Sequence, residues 1–215
     1  MRLSTNDLPL SPTNKPAQQT DPMPKTQDDD KLSIQTQAVM ALGCAVVYFY
    51  AFKLNQYWFE QLEFSPGVNW VFIPSGLRLL LVLVLLRTGA IGITLGSIAV
   101  NYSFDFAPES HVFNIVTGLI SGTSPCLARY VAKNWFKLKT ELTNLDAQLL
   151  LKISILFAAT NALLHQLWFF WIGQIHDFIS STLVMGVGDW FGTVLVLTTA
   201  SLVIKLYKLS QASKF

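Results

Sequence analysis

Charge is scarce in this chain. Asp, Glu, Lys and Arg make up 13% of its 215 residues, against 52% hydrophobic residues, where a soluble domain carries roughly 25% charged residues. That deficit excludes an ordinary soluble domain and leaves a polytopic membrane protein. Residues 1–31 contain no apolar core, which excludes a secretory signal peptide. Cysteine is nearly absent. Cys44 and Cys126 lie in different apolar runs, which argues against a disulfide framework and for two small buried residues. There is no glycine-rich phosphate loop, paired-cysteine zinc motif or nucleophile elbow, so no soluble catalytic domain and no enzymatic activity are expected. Within the apolar runs no two His, Cys or acidic residues stand at coordinating helical spacing, so no metal or other cofactor is expected. The formal net charge of +2 gives no case for a nucleic-acid partner.

What the chain has in abundance is long apolar runs, at about 35–52, 70–87, 89–104, 111–132, 149–172 and 178–204. Each comes near the roughly 20 residues with which a helix crosses about 30 Å of hydrocarbon, the third being short. The expected fold is all-α, a bundle of six transmembrane helices over residues 35–206. A disordered cytoplasmic tail is expected over 1–34, where five of the nine prolines fall within the first 24 residues. A short basic cytoplasmic tail is expected over 207–215. Lys and Arg in the connections set the orientation. Arg2, Lys15, Lys25, Lys31, Arg87, Arg129, Lys133, Lys137, Lys139, Lys205, Lys208 and Lys214 all fall to one side. The other side holds Lys53 against Glu60, Glu63, Asp105, Glu109 and Asp177. Both termini are thereby placed in the cytoplasm. Tyr48, Tyr50, Tyr57, Trp58, Trp70, Tyr102, Trp168 and Trp171 cluster toward the outer face, where amphipathic rings favour the headgroup level.

Between the fourth and fifth runs, Leu138, Leu142, Leu145 and Leu149 recur at three-to-four spacing. This predicts an amphipathic surface helix or an early start of the fifth span, with Thr143 and Asp146 as a capping box. Gly92 with Gly96, Gly118 with Gly122, and Gly188 with Gly192 form strips that let helix backbones approach closely; a homodimer face is their other possible use. The oligomeric state stays open. Pro74 is expected in the first turn of a helix, after an irregular segment from Phe64 to Ile73. Irregular backbone at membrane depth must be enclosed by protein or line a wet cavity.

Two ions stand out within the apolar runs. Asp189 is the only charged residue between Asp177 and Lys205, and Arg78 the only basic residue inside 70–86. A charge at the bilayer centre costs about 2.5–3.5 kcal/mol even on insertion scales, so membrane helices rarely carry one without a use. One reading is that the two pair only to make each other tolerable, with asparagines bridging helices. The other is that Arg78, Asp189, His165, Asn161, Asn101, Asn114 and Ser75 line a cavity, open to the outside and closed beneath, that binds a ligand or proton. His165 is either a hydrogen-bonded core residue or a titrating group; His111 and His176 read as loop residues. A thiol-peptidase set of Cys126, Arg129 and His165 is disfavoured, because His165 counts toward the opposite end of the membrane.

Two segments together carry a family resemblance. Asn69-Trp-Val-Phe-Ile-Pro-Ser-Gly-Leu-Arg78, followed by Gly89-Ala-Ile-Gly-Ile-Thr-Leu-Gly-Ser97, resembles the aromatic-x-Pro-Ala/Ser-Gly and Leu-Gly-Ser/Ala pattern of the membrane-associated sensor domain MASE, first type. Gly188-Asp-Trp-Phe-Gly-Thr-Val-Leu195 resembles its Gly-Asp-x-x-Gly-x-Leu helix. The resemblance runs from about residue 38 to 205. It implies a bacterial inner-membrane sensory module of the kind joined to histidine kinases and diguanylate cyclases. The chain departs from the pattern at Arg78, at Thr198-Thr199 in the neighbourhood of the family's proline, and in carrying no output domain. The expected function is therefore that of a sensor-like protein. It would bind a small solute or membrane partner through the polar cavity and relay to a separate kinase or cyclase. The alternative is a small-solute transporter or its substrate-binding membrane subunit, which would need an inner exit.

Overall fold

Apolar helices dominate the chain as soon as it can be followed. The structure, a computed structural model, describes residues 33–104, 110–139, 142 and 144–212. The N-terminal tail over 1–32, Asp105, Glu109, Thr143 and Lys214 lie outside them. Among the described residues there are five helices: α1 (Ile34–Phe59), α2 (Ile73–Phe104), α3 (His111–Trp135), α4 (Ala147–Trp171) and α5 (Phe178–Ala212). A single 3-10 turn, Glu60–Leu62, leads from α1 into a small antiparallel hairpin of β1 (Glu63–Ser65) and β2 (Val68–Asn69). Among the described residues, α1 with its following turn, α2, α4 and the stretch 178–203 of α5 are long and apolar enough to cross a membrane. α3 is not among them. Its Asn114, Thr117, Ser121 and Ser124 are buried, and Arg129 and Lys133 stand in its last turns.

The helix starts follow from local chemistry. Ser33, Ser110 and Asp146 cap α1, α3 and α4 by accepting the backbone N–H of Thr36, Phe113 and Leu149 at 3.1, 3.2 and 2.7 Å. Each pairs an otherwise orphaned donor. Pro74 sits in the first turn of α2, where its missing N–H costs nothing. Asp177 precedes α5, and its Oδ1 accepts from the N–H of Ser180 at 3.0 Å. These bonds from Ser180 hold the exposed Asp177 carboxyl below its ordinary 3.8. A depressed folded-state value means that the cap is complete above the unfolded value and is lost as pH falls through the folded one. The Ser180 amide resonance should therefore titrate with a midpoint below 3.8, and Asp177→Asn should abolish the step. A midpoint at or above that value would contradict the cap.

α2 is not one straight rod. Leu86, at φ 53° and ψ −124°, interrupts it. A Cβ placed on Gly89 would collide with the carbonyl of Leu81, although in a continuous helix those residues would stand about 12 Å apart. The chain therefore doubles back at Leu86, with one arm over 73–85 and the other over 87–104. Gly92 and Gly96 abut the backbone of Ala41 and Ala45, so the second arm runs alongside α1 in the same direction. Gly118 and Gly122 abut Ile98, Thr94 and Ala90, which sets α3 antiparallel to that arm. Gly188 and Gly192 press on the carbonyls of Asn69 and Phe72. Here the close approach is to extended chain, not to a second helix.

These contacts fix two ends. One carries the Leu86 turn with Arg87, the end of α3 with Lys133, and the 136–146 connection. The other carries the β1–β2 hairpin, the start of α3 and the α4–α5 connection, with Glu60, Glu63 and Asp177. The described residues of the 136–146 connection form neither the amphipathic helix nor the early start of the next span that the leucine spacing predicts. Lys137 and Leu142 take positive φ, and Asn144 ties the loop by accepting from Lys139 N at 2.9 Å and donating to Lys137 O at 3.0 Å. Leu138 is buried, and Leu142, Leu145 and Leu149 pack with it against Leu79, Leu83, Ile153 and Phe157. Burial satisfies the leucines without a helix, and α4 starts only at Ala147, with Asp146 itself as the cap.

Candidate functional site: a buried polar cavity

Four elements deliver polar side chains to one level of the interior. α2 contributes Ser75 and Arg78 from its first arm and Ser97 and Asn101 from its second; α3 contributes Thr117, Ser121 and Ser124; α4 contributes Asn161 and His165; α5 contributes Asp189 and Thr193. All are buried. The spacings Ser97 to Asn101, Asn161 to His165 and Thr117 to Ser121 are each one helical turn, so each pair projects from one face.

Arg78 does not reach Asp189 directly; Asn161 stands between them. Its Oδ1 accepts from Arg78 Nη1 at 3.4 Å and Ser124 Oγ at 2.6 Å, and its Nδ2 donates to Asp189 Oδ2 at 2.6 Å. Both ends of one carboxamide are thus used, one toward each ion. The remainder of the guanidinium donates through Nε and Nη2 to the hydroxyl of Tyr48 and lies over the rings of Tyr48 and Phe72 at 5.3 and 5.2 Å. Tyr48, expected at the headgroup level, is fully buried for this reason. Tyr50, Tyr57, Trp58, Trp70, Tyr102 and Trp171 are exposed. Trp168 is partly buried and donates to Thr117 at 3.1 Å.

His165 is held at both nitrogens, Nδ1 to the carbonyl of Asn161 at 3.0 Å and Nε2 to Ser121 at 3.2 Å, with Ser97 donating to Ser121 at 2.9 Å. The carbonyl can only accept, so Nδ1 carries the proton and Nε2 accepts from Ser121. Ser75 lies beside Thr193, at 3.3 Å, and Asp189. Asn101 donates to the carbonyl of Asn114 at 3.1 Å, which links α2 to α3. Asn114 itself stays outside the cavity lining. Cys126 interacts with the Gly122 carbonyl of its own helix at 3.5 Å, Cys44 is buried, and both thiols are free. Among the described residues, no group of three His, Cys, Asp or Glu could hold a metal.

Above this layer lies a cavity with about 40 Å³ open to the centres of water-sized groups. At roughly 10–15 Å³ per water, that is space for about three. Arg78, Asp189, His165, Ser97 and Asn101 form its polar part; Phe52, Phe72, Phe113, Phe169 and Met185 wall it. Pro66 and Gly67 of the hairpin turn close the top. Gly67 has φ 77°, which suits the third position of a Pro-Gly turn. Glu63 fastens that turn by accepting from Gly67 N and from Gln56 of α1, both at 2.9 Å. Asn55 secures the next stretch, donating to Val71 O at 3.3 Å and accepting from Ile73 N at 2.9 Å. Of the segment from Phe64 to Ile73, Pro66, Gly67, Asn69 and Phe72 line the cavity, Val68 and Asn69 are buried, and Phe64 and Trp70 are exposed. At the opposite end, the apolar cluster of Leu79, Leu83, Phe157 and Leu197, sealed by the loop leucines, leaves no comparable polar lining.

A larger groove of about 510 Å³ runs between α4 and α5. Its walls are Ala158, Ala162, Leu163, Leu183 and Trp190, which offer little to a polar ligand. A further open groove of about 520 Å³ is lined by Lys53, Gln56, Tyr57, Glu60 and Phe104. Size would favour either groove; the convergence of buried polar groups selects the smaller cavity. Sequence reasoning missed Asn69, Tyr48, Ser97, Thr117, Ser121 and Ser124. The α3 members sit at positions i, i+4 and i+7 of a buried stripe, a periodicity present in the sequence. Asn69 lies in non-repetitive chain and has no such signal. Compared with known proteins, the chain shows no significant match to any family model, curated sequence or solved structure.

Proposed function

We propose that this protein is a sensor-like integral membrane protein that binds a small polar solute in the cavity beneath the Pro66–Gly67 hairpin. The observation that carries the reading is the asymmetry of the interior. A polar, partly unfilled layer lies under the hairpin, and a continuous apolar plug lies beneath it. A transporter must expose its site to both sides in turn, and the plug, where Ser154 bonds back to the Leu150 carbonyl of its own helix, offers few polar groups for the second exposure. The fold-back at Leu86 and the antiparallel run of the segments favour six crossings. The basic end with Arg87, Lys133 and Lys137 would face the cytoplasm, and the hairpin end the outside. On that topology both termini are cytoplasmic in a bacterial inner membrane, and the chain is a MASE-type sensory module. The signal would leave through the 136–146 connection or the tails toward a separate kinase or cyclase.

The transport alternative is open to direct measurement. Vesicles containing the purified protein, challenged osmotically with glycerol or acetamide and followed by stopped-flow light scattering, should swell no faster than protein-free vesicles. A protein-dependent, solute-selective acceleration would replace sensing with conduction.

A further inference from the structure

Asn69 is the anomaly of the cavity. Its side chain is 4% exposed and lines the cavity, yet neither Nδ2 nor Oδ1 has a partner within the protein. Asn161 and Asn55 are engaged at both ends and Asn101 through its Nδ2; the oxygens of Asn114 and Gln166 are also unpaired, but those residues do not line the cavity. Buried polar side-chain atoms are normally paired, and one left orphaned calls for a bound occupant or a functional reason. The fixed ions do not supply a charge for that occupant to meet. Arg78 donates to Tyr48 and Asn161, Asp189 accepts from Asn161, and the two are equal and opposite. An ion entering the cavity would lose its hydration without gaining an unpaired counter-charge. A solute offering both a donor and an acceptor would satisfy the whole Asn69 carboxamide at once. The phenylalanine walls suit a short apolar remainder, and the volume limits the solute to a few non-hydrogen atoms.

We propose that the cavity selects a small uncharged solute with an adjacent donor and acceptor, the chemistry of a primary amide, a urea or an undissociated short carboxylic acid, and that Asn69 is the group that recognises it. This rests on the reading of the cavity as a ligand site.

The test uses the full chain in lipid nanodiscs and saturation-transfer NMR, with acetamide as the probe and acetate and methylammonium as charged controls of similar size. Four non-hydrogen atoms limit the affinity to about 0.04 mM at best, so the titration extends into the millimolar range. Acetamide is expected to give a saturable signal and the two ions none. Asn69→Leu should weaken acetamide binding by about tenfold or more. It should also leave the thermal stability of the ligand-free protein unchanged or raised, because it removes no bond within the protein. Asn69→Ala, with no added bulk, should lose binding in the same way. Saturable binding of acetate or methylammonium that survives both substitutions would overturn the solute class while leaving the cavity as a ligand site. Destabilisation of the ligand-free protein by both substitutions would make Asn69 structural and overturn its role. If none of the three probes saturates, the ligand-site reading falls with the proposal.

Discussion

Asn161→Leu is expected to cost about 3–5 kcal/mol of folded stability, the range found when a buried charge loses its partner. The substitution keeps the number and branching of side-chain heavy atoms but replaces the planar carboxamide with two methyl groups, so lost polar partners and added bulk act in the same direction. It removes the acceptor for Arg78 Nη1 and Ser124 and the donor to Asp189 in one step. Asp189, 1% exposed, would lose a main hydrogen-bond donor in an apolar interior. Thermal unfolding in nanodiscs, or folded yield after extraction, would register the effect. Arg78→Met and Asp189→Asn should each be harmful alone. Together they should do less harm than their sum, by about 0.5–3 kcal/mol of coupling. Strict additivity would mean that the ions are independent and that Asn161 bridges nothing of consequence.

The second large effect is steric. Gly192→Val should abolish stable folding, because its first side-chain carbon would overlap the backbone carbonyl of Phe72 and approach Ile73 N. Overpacking ordinarily costs about 1–3 kcal/mol and more where the obstacle cannot turn aside, as a backbone cannot. Gly188→Val meets the carbonyl of Asn69 in the same manner. Gly43→Ala is the contrasting case. Nothing lies within 4 Å of an added Cβ there, and alanine gains up to about 1 kcal/mol over glycine in a helix interior. A thermal-shift series over Gly192, Gly188 and Gly43 would show whether losses follow these contacts. Equal tolerance at Gly192 and Gly43 would contradict the close approach of α5 to residues 69–73.

How much of this is legible in the sequence depends on the kind of signal. Arg78 and Asp189 stand out because hydrocarbon makes any ion conspicuous, and Pro74 and the paired glycines carry meaning through local geometry. The turn near Arg87 is also visible, as a break between apolar runs, and Leu86 reverses α2 there. Direct pairing of the two ions does not hold, since composition says nothing of the Asn161 carboxamide set between them. Tyr48 is misplaced by the same logic that places Tyr50 and Tyr57. An aromatic with a polar tip serves an interface or a buried guanidinium equally well, and only tertiary packing decides. Leu138, Leu142 and Leu145 keep helical spacing with Leu149 but pack from a loop, Leu138 buried and the other two partly so. Asn69 is the least legible, lying in irregular chain where no period marks the buried face.

The central claim is that the polar layer communicates with one side of the membrane alone, through the hairpin. Ser97→Cys, in a Cys44→Ala and Cys126→Ser background, places a thiol in the cavity wall with little change in size. The protein is reconstituted in sealed vesicles of known orientation, and a small impermeant methanethiosulfonate is added to one side at a time. Modification is expected from the side bearing the Pro66–Gly67 turn, faster once Glu63→Ala frees that turn, and not from the side bearing Arg87. Equal modification from both sides, or from the Arg87 side alone, would contradict the account.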